Sequence, residues 1–298
     1  MHPGQLSVST DAVARLIAAQ FPQWARLTLM PMASTGTVNA LFRLGDRLVV
    51  RFPLEPADAE AVRRRLGAEA RAAGELLGRT RFPTPEPVAL GEPGEGYPLP
   101  WSVQTWIPGT TAIEEDPAGS GEFAEDLAEF ILGVRDIDTR GATFSGPGRG
   151  GSLSASDAWM QTCFRHSGSL LDVDHLRHLW HEWRSLARGD RPDVMSHRDL
   201  IPGNVLVASG RLIGVLDVGG LGPADPALDL VSAWHLLDAG PREVLRAALA
   251  CDDLEWARGR AWAFEQAMGL VWYYAQSNPT MSALGRRTLH RLTTRASP

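Results

Sequence analysis

Met195-Ser196-His197-Arg198-Asp199-Leu200-Ile201-Pro202-Gly203-Asn204 is the most informative stretch of this sequence. Its first residues predict a short strand. Pro202-Gly203 then forces a loop between Asp199 and Asn204, because proline fixes φ and glycine tolerates tight turns. A carboxylate and an amide are thereby held at the two ends of one short loop.

A β-hairpin is predicted to follow this loop, because two apolar runs flank Ser209-Gly210. With a two-residue tip, Ala208 faces Arg211. Counting back from the tip then places Asn204 opposite Val215.

Asp217 comes directly after the hairpin. Because side chains alternate along a strand, this register predicts Asp217 on the same face as Asn204. Carboxylate and amide oxygens suit Mg²⁺, so Asn204 and Asp217 are candidate metal ligands.

Asp199 is the candidate base, which would orient an attacking hydroxyl. The alternative is that both aspartates only cap turns. The spacing of His197-Arg198-Asp199-Leu200 and Asn204 resembles the catalytic loop of protein kinases.

Composition restricts the class of protein. With 298 residues, 44% hydrophobic and 21% charged, the chain is typical of a soluble globular protein long enough for two lobes. Its net charge of -6 argues against nucleic acid as a partner. Without a signal-peptide pattern or an apolar run of about 20 residues, we expect a cytoplasmic protein that does not bind membranes. We also expect a monomer.

The sequence contains no lysine, so all 29 basic residues are arginine. This excludes a Walker A loop and Schiff-base or pyridoxal phosphate chemistry, because both require a lysine amine. The two cysteines, Cys163 and Cys251, are too few for a disulfide framework and lack the spacing of a metal site.

The N-terminal part predicts a helix over 9–20 and three strands, over 27–32, 40–44 and 48–52. The turn 33–39 is small and polar. Its Ser34, Thr35 and Gly36 are candidates for folding over nucleotide phosphates, with a generic hairpin connection as the alternative.

Arg51 places a cation on a strand that is otherwise built for burial, so it needs a partner. The helix predicted over 57–77 and ended by Gly78 puts Glu69 within its apolar stripe, where an unpaired carboxylate is costly. We expect an Arg51–Glu69 pair that positions nucleotide phosphates. The alternative is a surface pair of Glu69 with Arg65, one helical turn away.

Two more strands are predicted over 86–90 and 99–107, and Pro108-Gly109 then breaks the pattern. We interpret this point as a hinge between a nucleotide-binding lobe, 1–107, and a helical lobe, 108–298. Backbone groups around Gln104, Trp106 and Ile107 would bind a purine edge, and the Trp106 ring would stack on it or pack.

Beyond the hinge the apolar spacing becomes helical. The G-x-G-x-x-G pattern over 146–151 follows no strand, so a loop is favoured over a dinucleotide site. His175, His178 and His181 lack further metal-ligating neighbours and predict a solvated helix face. Asp225 is expected to cap a helix, and Asp229 to brace the catalytic loop through backbone contacts.

Three segments together resemble the aminoglycoside phosphotransferase family, which includes macrolide kinases: 196–204, then Leu216-Asp217-Val218-Gly219-Gly220, then 225–230. The resemblance implies an α+β, bilobal, protein-kinase-like fold with an antiparallel β-sheet N-lobe and a mostly helical C-lobe that carries the catalytic-loop hairpin. It also implies ATP or GTP as donor, with Mg²⁺. Two departures stand out: Arg198 replaces the glycine of many members, and Arg51 replaces a lysine.

By this resemblance, Asp199 is the base, Asn204 and Asp217 hold the metal, and Arg51 with Glu69 positions the phosphates. The expected activity is O-phosphorylation of an antibiotic hydroxyl, which confers resistance, with an aminoglycoside as the acceptor. A macrolide kinase, a housekeeping choline-type or sugar-type kinase and an inactive kinase-like binding module are the alternatives. Asp238, Glu265 and residues 272–274 are available to line the acceptor site.

Overall fold

The computed structural model describes residues 4–32, 39–146 and 148–294. The chain forms two compact units. The first holds the described residues up to Leu77, Pro83–Pro108 and Leu216–Gly219, and the second holds the remainder. The lobe boundary that we expect from the sequence, between 107 and 108, differs from this division because 78–82 and 216–219 each belong to the opposite unit.

The first unit is built on an antiparallel sheet in the order β1-β2-β3-β5-β4. The strands confirm those predicted from sequence, with small shifts at their ends. Their bounds are β1 Leu29–Met32, β2 Asn39–Leu44, β3 Leu48–Pro53, β4 Pro87–Gly91 and β5 Trp101–Thr105.

Two helices belong to the same unit, α1 (Thr10–Gln20) and α2 (Ala59–Leu76). Ser9 caps the first, accepting a hydrogen bond from the N–H of Ala12 at 3.2 Å. Asp58 caps the second in the same way. Gly78, with φ of +71°, follows the end of α2 as predicted, because glycine adopts this conformation without strain.

Aromatic packing dominates the core of the first unit. The Phe52 and Trp101 rings stack with their centroids 5.0 Å apart. Gly91 makes this packing possible, because a Cβ there would lie 2.0 Å from the Trp101 ring. Each buried large apolar side chain contributes about 1.5–3 kcal/mol, so this stacked pair stabilises the sheet.

The second unit is mostly helical. Its helices are α3 Gly121–Arg135, α4 Asp157–Ser167, α5 Val173–Trp183, α6 Val231–Leu236, α7 Ala239–Ala248, α8 Asp253–Tyr273 and α9 Pro279–Thr293. The apolar face of α3 is buried throughout and consists of Phe123, Leu127, Phe130, Ile131 and Val134. On α5, Leu176 and Trp180 are buried, whereas His175, His178 and His181 are exposed, which confirms the solvated face. Within the described ranges, no three His, Cys, Asp or Glu side chains are grouped to hold a metal ion.

Helix α8 is buried on nearly all sides from Gly259 to Val271, as expected of a central helix. Helix α9 packs closely against it at Gly285, where a Cβ would lie 2.8 Å from the Ala267 carbonyl oxygen. In the described part of the chain, no helix has the length and apolar character needed to cross a membrane.

Short strands flank the stretch 195–204. They are β6 Thr110–Thr111, β7 Val194–Ser196, β8 Val205–Ala208, β9 Arg211–Val215 and β10 Gly222–Ala224, with β7 paired to β10 and β8 lying between β6 and β9. Ala208 pairs with Arg211 across the two-residue tip, as predicted. The expected pairing of Asn204 with Val215 is wrong. An irregularity between Leu206 and Val207 shifts the register by one, so that Val205 faces Val215.

The expectation that Asp225 caps a helix is also wrong, since the next helix, α6, begins only at Val231. Tertiary contacts hold the Asp225 carboxylate instead. It accepts hydrogen bonds from Arg258 Nε at 3.0 Å and from Trp262 Nε1 at 2.9 Å, both on α8.

Candidate active site

Asp229 braces the predicted catalytic loop by hydrogen bonds, as expected from the sequence. One carboxylate oxygen accepts hydrogen bonds from Ser196 Oγ at 2.8 Å and the Arg198 N–H at 2.9 Å. The other accepts from the His197 N–H at 2.9 Å. Arg198 has a φ of +72°, which is unfavourable for a residue with a side chain. These buried hydrogen bonds stabilise the loop in that conformation.

The Asp199 carboxylate is held from three sides. Its Oδ2 accepts from Asn204 Nδ2 at 3.0 Å. Its Oδ1 accepts from Gln266 Nε2 at 2.8 Å and faces Arg149 Nη2 at 3.4 Å. The side chain is still 38% exposed. The carboxylate is therefore oriented, yet can be reached by a hydroxyl.

Gln266 and Arg149 were not anticipated by sequence reasoning. Gln266 lies on α8, 67 residues from Asp199, and no motif points to it. Arg149 lies in the glycine-rich segment 146–151, whose pattern drew attention only as a weak dinucleotide signature.

Asn204 suits the role of a metal ligand. Its Nδ2 donates both to the Asp199 carboxylate and to the Asp199 carbonyl oxygen, the latter at 2.9 Å. The amide is therefore oriented by its nitrogen, which leaves the Oδ1 oxygen for a hard cation.

Asp217, the second residue predicted from the sequence as a metal ligand, carries an exposed carboxylate. Its side chain is 51% exposed, and its Oδ1 lies 3.3 Å from Arg51 Nη2. The residue has a φ of +56°, an uncommon backbone conformation that is enriched at functional sites. An exposed carboxylate offers oxygen atoms of the kind that Mg²⁺ prefers as ligands.

The expected direct pair of Arg51 with Glu69 is not formed. Arg51 contacts Asp217 and donates from Nη1 to Gln104 Oε1 at 3.3 Å. Glu69 instead lies 3.7 Å from Arg65, the surface alternative. The cause is tertiary, because Asp217 supplies the carboxylate partner of Arg51 from a distant part of the chain.

Glu69 remains in the electrostatic environment of Arg51. Burial raises the pKa of Glu69, and the nearby Arg51 guanidinium opposes this. Gly219 packs against the helix at this point, since a Cβ on it would lie 3.0 Å from both Cβ and Cγ of Glu69. Arg51, Glu69, Gln104 and Gly219 together line a cavity of about 220 Å³ in the first unit.

The remaining predicted nucleotide contacts have mixed outcomes. Ser34, Thr35 and Gly36 lie outside the described residues. The backbone N–H of Trp106 donates to the Arg47 carbonyl oxygen at 2.8 Å. The Trp106 ring packs under the Arg43 guanidinium, 5.1 Å from the ring centroid, so packing is the role that the structure shows. Ile107 is half-buried.

The side chains expected to line the acceptor site are also placed. Glu265 is buried, 3.7 Å from Arg149, and its pKa is raised by burial and lowered in part by that guanidinium. Asp238 pairs with Arg291 at 2.8 Å. Trp272 stacks on His166, with centroids 4.6 Å apart. Glu265 is therefore a buried partner of Arg149, whereas the Asp238 side chain remains exposed.

The profile of the phosphotransferase enzyme family, APH, matches residues 33–262. The chain therefore belongs to this family, which confirms the resemblance seen in the motifs. Over 143 residues it is 28% identical to an aminoglycoside 3'-phosphotransferase from Escherichia coli. That alignment covers 46% of this chain and 52% of the relative, so the chain spans about half the length of the curated relative.

Solved structures confirm the predicted fold class. The GDP complex of wild-type aminoglycoside 2'-phosphotransferase-IIIa matches with a TM-score of 0.69 and 17% identity, covering 96% of this chain and 99% of that one. A macrolide 2'-phosphotransferase from Brachybacterium faecium matches with a TM-score of 0.61 and 20% identity, covering 97% and 100%. At these identities the similarity shows a shared fold, the kinase-like α+β architecture.

Proposed function

We propose that this protein is a nucleotide-dependent O-phosphotransferase that phosphorylates a hydroxyl of an antibiotic, with an aminoglycoside as the acceptor, and so confers resistance. The observation that carries the proposal is the Asp199 carboxylate, which is oriented by Asn204 and Gln266 in a loop braced by Asp229. Membership of the phosphotransferase enzyme family supports it.

In the proposed reaction, Asp199 accepts the proton of the acceptor hydroxyl. As the O–H bond breaks, the oxygen forms a bond to the terminal phosphorus of the nucleotide. The bond from that phosphorus to its bridging oxygen breaks, and the nucleoside diphosphate leaves. Phosphoryl transfer depends mainly on positioning and on charge stabilisation, which explains why so many contacts serve one carboxylate.

The proposed donor is ATP or GTP, a choice supported by the GDP complex of the structural neighbour. Arg51 would contact its phosphates together with the loop of Ser34, Thr35 and Gly36. Glu69, whose charge lies close to Arg51, would help to position those phosphates. Backbone groups of the Gln104, Trp106 and Ile107 segment would bind the purine edge.

We propose Asn204 and Asp217 as the ligands of Mg²⁺. The ion would neutralise charge on the phosphates when it is bound. The donor set fits, since Asn204 offers an oriented amide oxygen and Asp217 an exposed carboxylate.

An aminoglycoside is favoured as the acceptor because the net charge of -6 suits a polycation and the named curated relative is an aminoglycoside phosphotransferase. One observation keeps a macrolide as the second candidate. Trp159, 39% exposed, lies against Trp272 with ring centroids 5.7 Å apart, which provides an apolar surface in the second unit.

A direct test combines an acceptor panel with a base variant. Aminoglycosides and macrolides are incubated with ATP or GTP and Mg²⁺, and products are detected by the mass added by one phosphoryl group. Asp199→Asn should lower kcat about 10²–10⁴-fold while nucleotide affinity changes little. Asp46→Asn, at a fully exposed site, is the matched control. Equal turnover of Asp199→Asn and the control would reject the proposed base.

A further inference from the structure

A buried chain of hydrogen bonds leads away from the candidate base. Gln266 Nε2 on α8 donates to Asp199 Oδ1 at 2.8 Å. Gln266 Oε1 lies 3.1 Å from His235 Nε2 on α6, and His235 Nδ1 lies 2.9 Å from Thr288 Oγ1 on α9. Gln266, His235 and Thr288 are all buried. The chain thus links three helices to one carboxylate.

The chemistry of the groups sets the direction of every hydrogen bond. An ionised carboxylate only accepts, so Gln266 must present its NH₂ to Asp199 and its carbonyl oxygen to His235. His235 must then carry its proton on Nε2. A neutral imidazole has one N–H, so Nδ1 is an acceptor and the Thr288 hydroxyl donates to it. One tautomer of His235 is compatible with the whole chain.

The surroundings keep His235 in that neutral state. The pKa of His235 is lowered to about 3, chiefly by burial and in part by the cations Arg149, Arg291 and Arg287. The Gln266 carbonyl opposes this shift by accepting a hydrogen bond. At neutral pH the imidazole therefore has no positive charge that would compete with Arg149 for Asp199.

We infer that His235 and Thr288 are positioning residues for the proposed phosphotransfer, because they fix the amide of Gln266 that orients Asp199. This inference rests on the proposed function and adds to it a role for residues remote from the reacting atoms. If the Nε2–H is lost, the Gln266 amide loses the partner that fixes its rotation. Arg149, at 3.4 Å, is then the main contact left on Asp199 Oδ1.

Substitution of Thr288 separates a positioning role from a packing role, because the two roles predict opposite rankings of kcat for the valine and serine variants. Thr288→Val keeps the volume and removes the hydroxyl, whereas Thr288→Ser keeps the hydroxyl and removes a methyl group. Positioning predicts a fall in kcat of roughly tenfold for Thr288→Val and a smaller change for Thr288→Ser, with KM for nucleotide unchanged in both. A larger loss of kcat in Thr288→Ser would overturn the inference.

Substitution of His235 gives a second, independent comparison. Glutamine can place an N–H close to the position of Nε2, whereas asparagine reaches only the position of Nδ1. His235→Gln should therefore retain more of kcat than His235→Asn, by roughly tenfold. His178→Asn, on the exposed face of α5, is the matched control. Equal kcat in the two His235 variants would contradict positioning through Gln266.

A readout without turnover separates failure of the inference from failure of the proposed function. Nitrogen-15 NMR of histidine-labelled protein reports which ring nitrogen is protonated, and His235→Gln identifies the signal of His235 among the eight histidines. We expect a proton on Nε2 and none on Nδ1 at neutral pH. A proton on Nδ1, or a doubly protonated ring, would overturn the chain even if an acceptor is phosphorylated. The expected tautomer without turnover of any acceptor would instead count against the proposed function.

Discussion

The buried, neutral His235 should make this protein progressively less stable in acid. The folded-state pKa of His235 is lowered from 6.5 to about 3 by burial. Below about pH 6.5 the unfolded chain binds a proton that the folded protein excludes. Its contribution to stability is therefore complete above about pH 6.5 and is lost as the pH falls toward 3.

The size of this effect follows from the two pKa values. Between the two pKa values, each pH unit lowers the free energy of unfolding by about 1.4 kcal/mol. His235 alone therefore lowers it by about 2 kcal/mol between about pH 8 and pH 5. The other titratable groups act alike in the wild type and in His235→Gln. The difference in stability between the two proteins should therefore change by about 2 kcal/mol over this range.

The assay is urea unfolding of both proteins at several pH values, followed by far-UV circular dichroism. The wild type should lose stability relative to His235→Gln as the pH falls. Nucleotide is left out of both samples, because ligand binding would shift the unfolding midpoint. A difference between the two proteins that stays constant, within about 0.5 kcal/mol, from pH 8 to pH 5 would show that His235 is accessible to protons in the folded state.

Two further predictions concern buried carboxylates. Asp229→Asn places an amide NH₂ against one backbone N–H of the predicted catalytic loop, so two donors face each other. Asp199 should then shift, and kcat measured by steady-state kinetics should fall roughly 10- to 100-fold. An unchanged kcat would contradict the bracing role. Asp126→Ala should lower the free energy of unfolding in urea by about 2–3 kcal/mol. The variant leaves the Leu212 N–H without its carboxylate acceptor and removes the partner of the half-exposed Arg211. A decrease below about 0.5 kcal/mol would show that these contacts are not stabilising.

The correct predictions from the sequence are those that depend on local patterns. Strand alternation, helix caps and the two-residue hairpin tip depend on neighbours within a few residues, so β1 to β5 and the ends of α1 and α2 are predicted well. Asp229 was also predicted correctly as the brace of the loop.

The errors occur where a local pattern is overridden by a distant contact. The predicted register of the β8–β9 hairpin is wrong by one residue. Counting residues back from the tip cannot detect the irregularity between Leu206 and Val207. Asp225 fails as a helix cap because Arg258 and Trp262, more than 30 residues away, engage its carboxylate. Arg51 pairs with Asp217, 166 residues away, although Glu69 was the nearer candidate along the chain.

The sequence by itself determined the local pairing at the candidate base. Asp199 and Asn204 lie five residues apart in one loop, so the sequence already places their side chains close together. Only the tertiary structure decided how the carboxylate is oriented, because Arg149, Gln266 and His235 come from separate elements that are brought together by burial of helices α6 and α8. A hydrogen bond depends on distance and angle in space, and spacing along the chain specifies neither for residues so far apart.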